Sequence, residues 1–106
     1  MIIFMSTSVD TVLGDLRQVL EDLEKLLAAS SGEARTHAEE AVASWRDALK
    51  GAHGPLEKLH ETTRRQIADA ARTASRALRD NPWKSMAIVA TAGVLLGLAL
   101  GNQQRH

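Results

Sequence analysis

The chain has 106 residues, no net charge at neutral pH, and few aromatic side chains: one Phe, two Trp and no Tyr. This length suits one modest domain, and the shortage of large apolar side chains argues against a broad core, so helices packed through small residues are expected. The lack of cysteine excludes disulfides, thiol catalysis and thiolate metal sites.

Charge is distributed unevenly along the chain. Residues 1–50 carry five Lys/Arg against nine Asp/Glu, and residues 51–106 carry eight against four. An acidic front therefore precedes a basic region. The first residues lack the basic start of a secretory signal peptide, and we expect residues 1–8 to be disordered. Met5 is an alternative start to Met1.

The first predicted helix runs from Val9 to Leu27, where apolar residues recur at intervals of four and three. Val12, Val19 and Leu26 widen this apolar face, which favours a helical hairpin or small bundle at least as well as a two-stranded coiled coil. Pairing within one chain and pairing between chains both remain open. The packing residues are Leu13, Leu16, Leu20, Leu23 and Leu27.

Two breaks divide the region that follows. At 30–32, Ser30 with Glu33 fits a capping box for a second helix up to Lys50, in which Trp45 is the only large packing residue. At 51–55, two glycines and Pro55 predict a hinge. A third helix is expected over 56–79, with an arginine edge opposite an alanine-rich face.

The longest apolar stretch lies near the C-terminus. No charged residue occurs for sixteen positions, 86–101, and the stretch has twenty residues when counted from Pro82. Twenty helical residues span roughly 30 Å, the thickness of a hydrocarbon core. Pro82, Trp83 and Lys84 lie where an interfacial anchor is expected. Because its large apolar side chains point in all directions, we favour a membrane span over a buried core helix.

Flanking charge predicts the orientation of this span. Five cations lie within about twenty residues before it, whereas Arg105 alone is certainly charged after it, so the N-terminal region is expected in the cytoplasm. We therefore predict a tail-anchored protein with a short far-side tail at 102–106. Gly93, Gly97 and Gly101 lie along one helix face, which predicts close packing with another membrane helix and a homo-oligomer.

The arginine edge is the best candidate for a ligand surface, because guanidinium groups bind phosphate whether it belongs to an anionic lipid or to RNA. Lipid contact is expected for the cations nearest the span, Arg76, Arg79 and Lys84. Arg64, Arg65 and Arg72 lie further out, where ribosomal RNA is a possible partner. In a simpler interpretation, these charges only keep the helix soluble and set the topology.

The motif from Arg79 through Asn81-Pro82-Trp83, followed by Gly93-Val-Leu-Leu-Gly97, resembles the ElaB/YqjD family of small bacterial inner-membrane proteins. The resemblance extends from about Val9 to Arg105. It implies a tail-anchored inner-membrane protein, linked to stationary phase and stress, that binds ribosomes through its N-terminal part.

No catalytic motif, metal-ligand cluster or phosphate loop is recognisable, so we predict a non-enzyme with no cofactor, no metal and no small-molecule substrate.

The predicted fold is all-α: two or three amphipathic cytoplasmic helices over 9–80, then one transmembrane helix over 81–101. The predicted function is to tether a large partner to the inner membrane under stress or in stationary phase, and the resemblance implies that this partner is the ribosome. The alternatives are a structural membrane protein that oligomerises through its glycine face and affects membrane integrity, and a soluble helical-bundle adaptor.

Overall fold

The computed structural model describes residues 8–101 as an all-α chain without β-strands in that range. The helices are α1 (Val9–Ala29), α2 (Gly32–Lys50), α3 (His53–Glu57), α4 (Glu61–Asp80) and α5 (Pro82–Gly101). The all-α prediction is thus confirmed. The predicted disorder at the N-terminus, apart from Ser8, and the predicted tail at 102–106 lie outside the described residues.

Helix α1 forms where a cap and an apolar stripe coincide. The hydroxyl oxygen of Ser8 accepts a hydrogen bond from the backbone N–H of Thr11 at 3.1 Å, which satisfies a donor left free at the helix start. The apolar face beyond it packs into the core. Its fully buried side chains are Val12, Leu16, Val19 and Leu23.

The turn between α1 and α2 differs from the capping box expected there. The Ser30 hydroxyl donates to the carbonyl of Leu27 at 2.9 Å, so it closes α1 instead of opening α2. Ser31 precedes α2 and makes no side-chain cap. Gly32 has φ 62°, in the left-handed region that favours glycine, so the reversal of direction depends on this residue.

The single third helix predicted over 56–79 is wrong at its start. The chain makes the short helix α3, buries Pro55 and Leu56, and begins α4 only at Glu61. Arg64 of α4 caps this short helix, because its Nη1 donates to the carbonyl oxygen of Leu56 in α3 at 3.4 Å and to that of Leu59 just beyond it at 2.8 Å. A carbonyl at the end of a helix otherwise lacks a partner.

The long helices form two helical hairpins, α1–α2 and α4–α5, that pack on each other. In the first hairpin, α1 and α2 are joined by an ion pair between Arg46 and Glu24 at 2.7 Å. In the second, the Ser85 hydroxyl donates to the carbonyl of Ala77 at 3.0 Å and ties α5 to α4 at the Asn-Pro elbow. Helix α1 packs on α4 and α2 packs on α5.

The core combines leucines and valines of α1 with alanine-containing faces of α2 and α4. An apolar cleft of about 350 Å³ remains beside Trp45, bordered largely by alanines of α4 and α5. Alanine faces leave such space because they carry only a methyl group to fill it. The bundle therefore holds α5 without enclosing it.

Candidate membrane-anchoring helix and basic edge

Helix α5 is the one helix within residues 8–101 that is long and apolar enough to cross a membrane. The candidate span is Pro82–Leu100, and 28% of it is buried inside the protein. The core helix of a soluble protein meets the same length and composition criteria, but it is mostly buried. The low burial of α5 therefore distinguishes it from such a core helix, which its composition alone does not.

The exposed face of α5 carries large apolar side chains. Ile88 is 71% exposed, Leu95 61% and Leu98 59%. Scattered single apolar residues are normal on a protein surface, but a set repeated along one helix marks an interaction site. Val94 and Trp83 extend this set, which we call the outer face: Trp83, Ile88, Val94, Leu95 and Leu98.

The opposite side of α5, where Gly93 and Gly97 lie, is covered by α2 of the same chain. A β-carbon added at Gly93 would lie 2.6 Å from Cδ1 of Trp45, closer than real β-carbons approach. At Gly97 the added β-carbon would lie 3.8 Å from that of Ala48, an ordinary contact. The absence of a side chain at Gly93 is therefore what admits the Trp45 indole.

Trp45 also makes a polar contact with α5. Its indole Nε1 donates a hydrogen bond of 2.7 Å to the backbone carbonyl of Val89, and the bond is buried. Because Trp45 contacts Val89 and Gly93 while Ala48 lies beside Gly97, residue numbers rise together along both helices, which therefore run parallel. The sequence indicated Trp45 as a packing residue, but its partner on the apolar helix was missed.

The entrance to α5 has the composition of an interfacial segment. Pro82 is the first residue of the helix and is half-buried, while Trp83 and Lys84 are exposed. The backbone N–H of Ser85 donates to the carbonyl of Asn81 at 2.9 Å, so the elbow residue also begins α5. The amphipathic side chains Trp83 and Lys84 are thus free to contact a membrane surface.

The arginine edge of α4 divides into paired and unpaired residues. Arg65 pairs with Glu61 at 3.3 Å, and Arg72 pairs with Asp69 at 3.3 Å, as expected for charges three or four residues apart. Arg72 Nε also lies 3.2 Å from Asp15 Oδ2 on α1, an ion-pair distance without hydrogen-bond geometry. Arg64 caps α3 as described above.

Arg76 and Arg79 form no ion pair or hydrogen bond with the described part of the chain. They border a cleft of about 310 Å³ between α1 and α4, together with Arg72, Gln18, Ser75 and Asp15. The hydroxyl of Ser75 is buried there and lacks a hydrogen-bond partner among residues 8–101. These two arginines are the ones available to an external anion.

The other expected packing residues lie in the core or at its border. Leu13, Leu16 and Leu23 of α1 are buried, and Leu20 and Leu27 are half-buried against the same cluster. Within one chain, this leucine stripe packs between α2 and α4. Among residues 8–101, no group of three or more His, Asp or Glu side chains is placed to hold a metal ion.

An all-α chain with one exposed apolar helix at this position is compatible with a protein that carries a single-pass membrane anchor. Residues 74–101 match the DUF883 C-terminal glycine zipper region. The chain is 27% identical to the uncharacterized protein YqjD of Escherichia coli K12 over 89 residues, covering 84% of this chain and 88% of that protein. YqjD proteins of Escherichia coli O157:H7 and Shigella flexneri match equally.

No solved structure matches the chain significantly. The predicted resemblance to the ElaB/YqjD family is confirmed by the glycine zipper match and by the similarity to YqjD. A glycine zipper is a feature of close helix–helix packing, which agrees with the position of Gly93 and Gly97 in the contact with α2.

Proposed function

We propose that this chain is a bacterial inner-membrane protein anchored by α5, and that the helices before α5 hold a large partner at the membrane without catalysing a reaction. The observation that supports the anchor is the outer face of α5. Its large apolar side chains are exposed to water in the free chain, that is, in the chain without a membrane. Transfer of such side chains from water to an apolar phase is favourable by about 25 cal/mol per Å².

The charges before α5 support a cytoplasmic N-terminal region. The positive-inside rule predicts that Lys and Arg residues within about twenty residues of a span lie on its cytoplasmic side. The exposed cations Arg76, Arg79 and Lys84 lie closest to the entrance. They suit contact with the phosphates of anionic lipids, since each cation near such a surface contributes about 1 kcal/mol.

For the large partner, the family resemblance favours the ribosome, bound under stress or in stationary phase. The structure limits which arginines are available. Arg64 caps α3, while Arg65 and Arg72 have side chains at least half exposed and keep their ion pairs at the surface. Ion pairs between exposed side chains are weak and exchange readily for a phosphate partner.

A second candidate function is a structural membrane protein that self-associates through Gly93 and Gly97 and alters membrane integrity. The match of residues 74–101 to a glycine zipper region favours it. This function needs the same anchor but no ribosome, so the two proposals differ in the partner and not in the membrane helix.

The anchor is tested by fractionating cells that express the full chain or a version ending at Asp80, with an alkaline carbonate wash of the membranes. We expect only the full chain to remain in the washed membranes. Recovery of both versions in the soluble fraction would instead favour the soluble adaptor, in which α5 stays on the bundle.

A further inference from the structure

Helix α2 and a lipid bilayer cannot both surround α5. In the free chain, α2 lies parallel to α5 and covers the side that contains Gly93 and Gly97. Helix α2 cannot follow α5 into hydrocarbon, because charged side chains there are costly. Seven of its nineteen residues are charged: Glu33, Arg35, Glu39, Glu40, Arg46, Asp47 and Lys50.

When α5 moves from the bundle into the bilayer, it gives up few favourable interactions. The large side chains that α5 buries in the bundle are apolar and find an equally apolar environment among lipid chains: Met86, Val89 and Leu100. The backbone carbonyl of Val89, which accepts the Trp45 hydrogen bond, lies inside a helix. Without Trp45, this carbonyl still accepts a hydrogen bond from the backbone N–H four residues later in the helix.

Helix α2, in contrast, is uncovered when α5 leaves. Trp45 is 3% exposed in the free chain, and Ala48, which lies beside Gly97, is 4% exposed. Without α5 this tryptophan and its neighbours face water. The same step frees Gly93 and Gly97 for another membrane helix.

We propose that α2 is a releasable cover for α5: it shields the glycine side before insertion and is displaced by the bilayer, which exposes Trp45 on the cytoplasmic side. This inference rests on the proposed membrane anchor. It adds that the chain has a closed form in water and an open form in the membrane, and that self-association through Gly93 and Gly97 belongs to the open form alone.

The closed form can be locked by a disulfide. The chain has no cysteine, so an introduced pair reacts without competition. The variant Ala48→Cys with Gly97→Cys places the two β-carbons 3.8 Å apart, within the range of native disulfides. The two single-cysteine variants are the matched controls.

The chain is synthesised in a membrane-free translation system and then mixed with vesicles of phosphatidylethanolamine and phosphatidylglycerol. Integration is measured as the fraction that floats with vesicles after an alkaline carbonate wash. We expect the oxidised double variant to integrate at least tenfold less than the same protein treated with a reductant, while both single variants integrate fully in either condition.

A second readout follows Trp45 directly. In a Trp83→Phe background Trp45 is the only tryptophan, and we expect its quenching by acrylamide to rise several-fold when vesicles are added. If the oxidised and reduced double variant integrate equally while the crosslink is intact, the proposed role of α2 as a cover is wrong. The proposed role of α5 as a membrane anchor would not be affected by this result. Failure of the disulfide to form would also overturn the cover. Failure of the reduced and single variants to integrate would remove the anchor and the cover together.

Discussion

The indole nitrogen of Trp45 lies 2.7 Å from the backbone oxygen of Val89, so the largest side chain of α2 is fixed to the helix that is apolar enough to cross a membrane. The same indole fills the space that Gly93 leaves open. These two contacts define how α5 is held in the absence of lipid, and the first two predictions concern them.

We expect Gly93→Leu to destabilise the free chain, because the new side chain overlaps the Trp45 indole. Overpacking of this kind costs about 1–3 kcal/mol of the free energy of unfolding. The measurement is urea unfolding followed by circular dichroism in vesicle-free buffer. Val94→Leu, one residue away on the outer face, is the control and should change the stability by less than about 0.5 kcal/mol. Equal stability of Gly93→Leu and wild type would contradict the packing of α2 on α5.

Substitution of Trp45 separates the hydrogen bond from the buried volume. Trp45→Phe removes the N–H donor and keeps an aromatic ring, so we expect a loss of about 1 kcal/mol in the same unfolding assay. Trp45→Ala also empties the space beside Gly93 and should cost about 3–5 kcal/mol. If both variants unfold like wild type, Trp45 does not hold α5.

The unpaired arginines predict binding to anionic lipid. We expect Arg76→Gln with Arg79→Gln to weaken binding to phosphatidylglycerol vesicles by roughly 30-fold, since each cation near the surface contributes about 1 kcal/mol. The control is Arg17→Gln with Lys25→Gln, which removes the same charge from exposed positions of α1. An equal loss for both variants would show that net charge alone matters. Flotation at two salt concentrations measures the effect.

A ribosome partner would depend on the outer arginines. We expect Arg65→Gln with Arg72→Gln to reduce co-sedimentation of ribosomes with membranes, and salt to weaken the wild-type interaction steeply, because phosphate contacts release counterions. The control, Arg35→Gln with Arg46→Gln, also removes two exposed arginines that form ion pairs, but from α2. Unchanged co-sedimentation would exclude this surface from ribosome binding.

In the membrane, the glycine side should mediate self-association. We expect Gly93→Leu with Gly97→Leu to abolish the signal of a membrane dimerisation reporter carrying α5, because leucine prevents the close approach of two helices. Thr91→Leu, on the exposed side, is the control. A normal signal from the glycine variant would rule out this interface and with it the second candidate function.

The features that depended on local sequence were predictable. The spacing of leucines in α1, the Asn-Pro elbow and the apolar composition of α5 each gave the right helix, because periodicity and caps act within a few residues. The start of α4 was missed, since Pro55 lies inside the short helix α3, which is capped by Arg64 from α4 and separates the break from the start of α4.

The pairing of α2 with α5 was missed for a different reason. Several helix faces in this chain are rich in alanine, and periodicity alone does not indicate which two of them meet. The match between one large side chain, Trp45, and one missing side chain, Gly93, was a usable signal. It was overlooked because the glycines were assigned to a contact between chains.

The most direct test of the anchor places charges on the outer face. Leu95→Lys with Leu98→Lys changes two side chains that are already exposed to water, so the helical bundle should keep its fold by circular dichroism. A lysine costs about 2.5–3.5 kcal/mol at the centre of a membrane helix, so Leu95→Lys, the nearer of the two to the centre, should contribute more than Leu98→Lys. Ala28→Lys with Ala43→Lys adds the same charge at exposed positions of α1 and α2 as a control. After an alkaline carbonate wash, wild type and control should remain in the membrane fraction and the outer-face variant should be soluble; retention of the variant at the wild-type level would contradict membrane anchoring by α5.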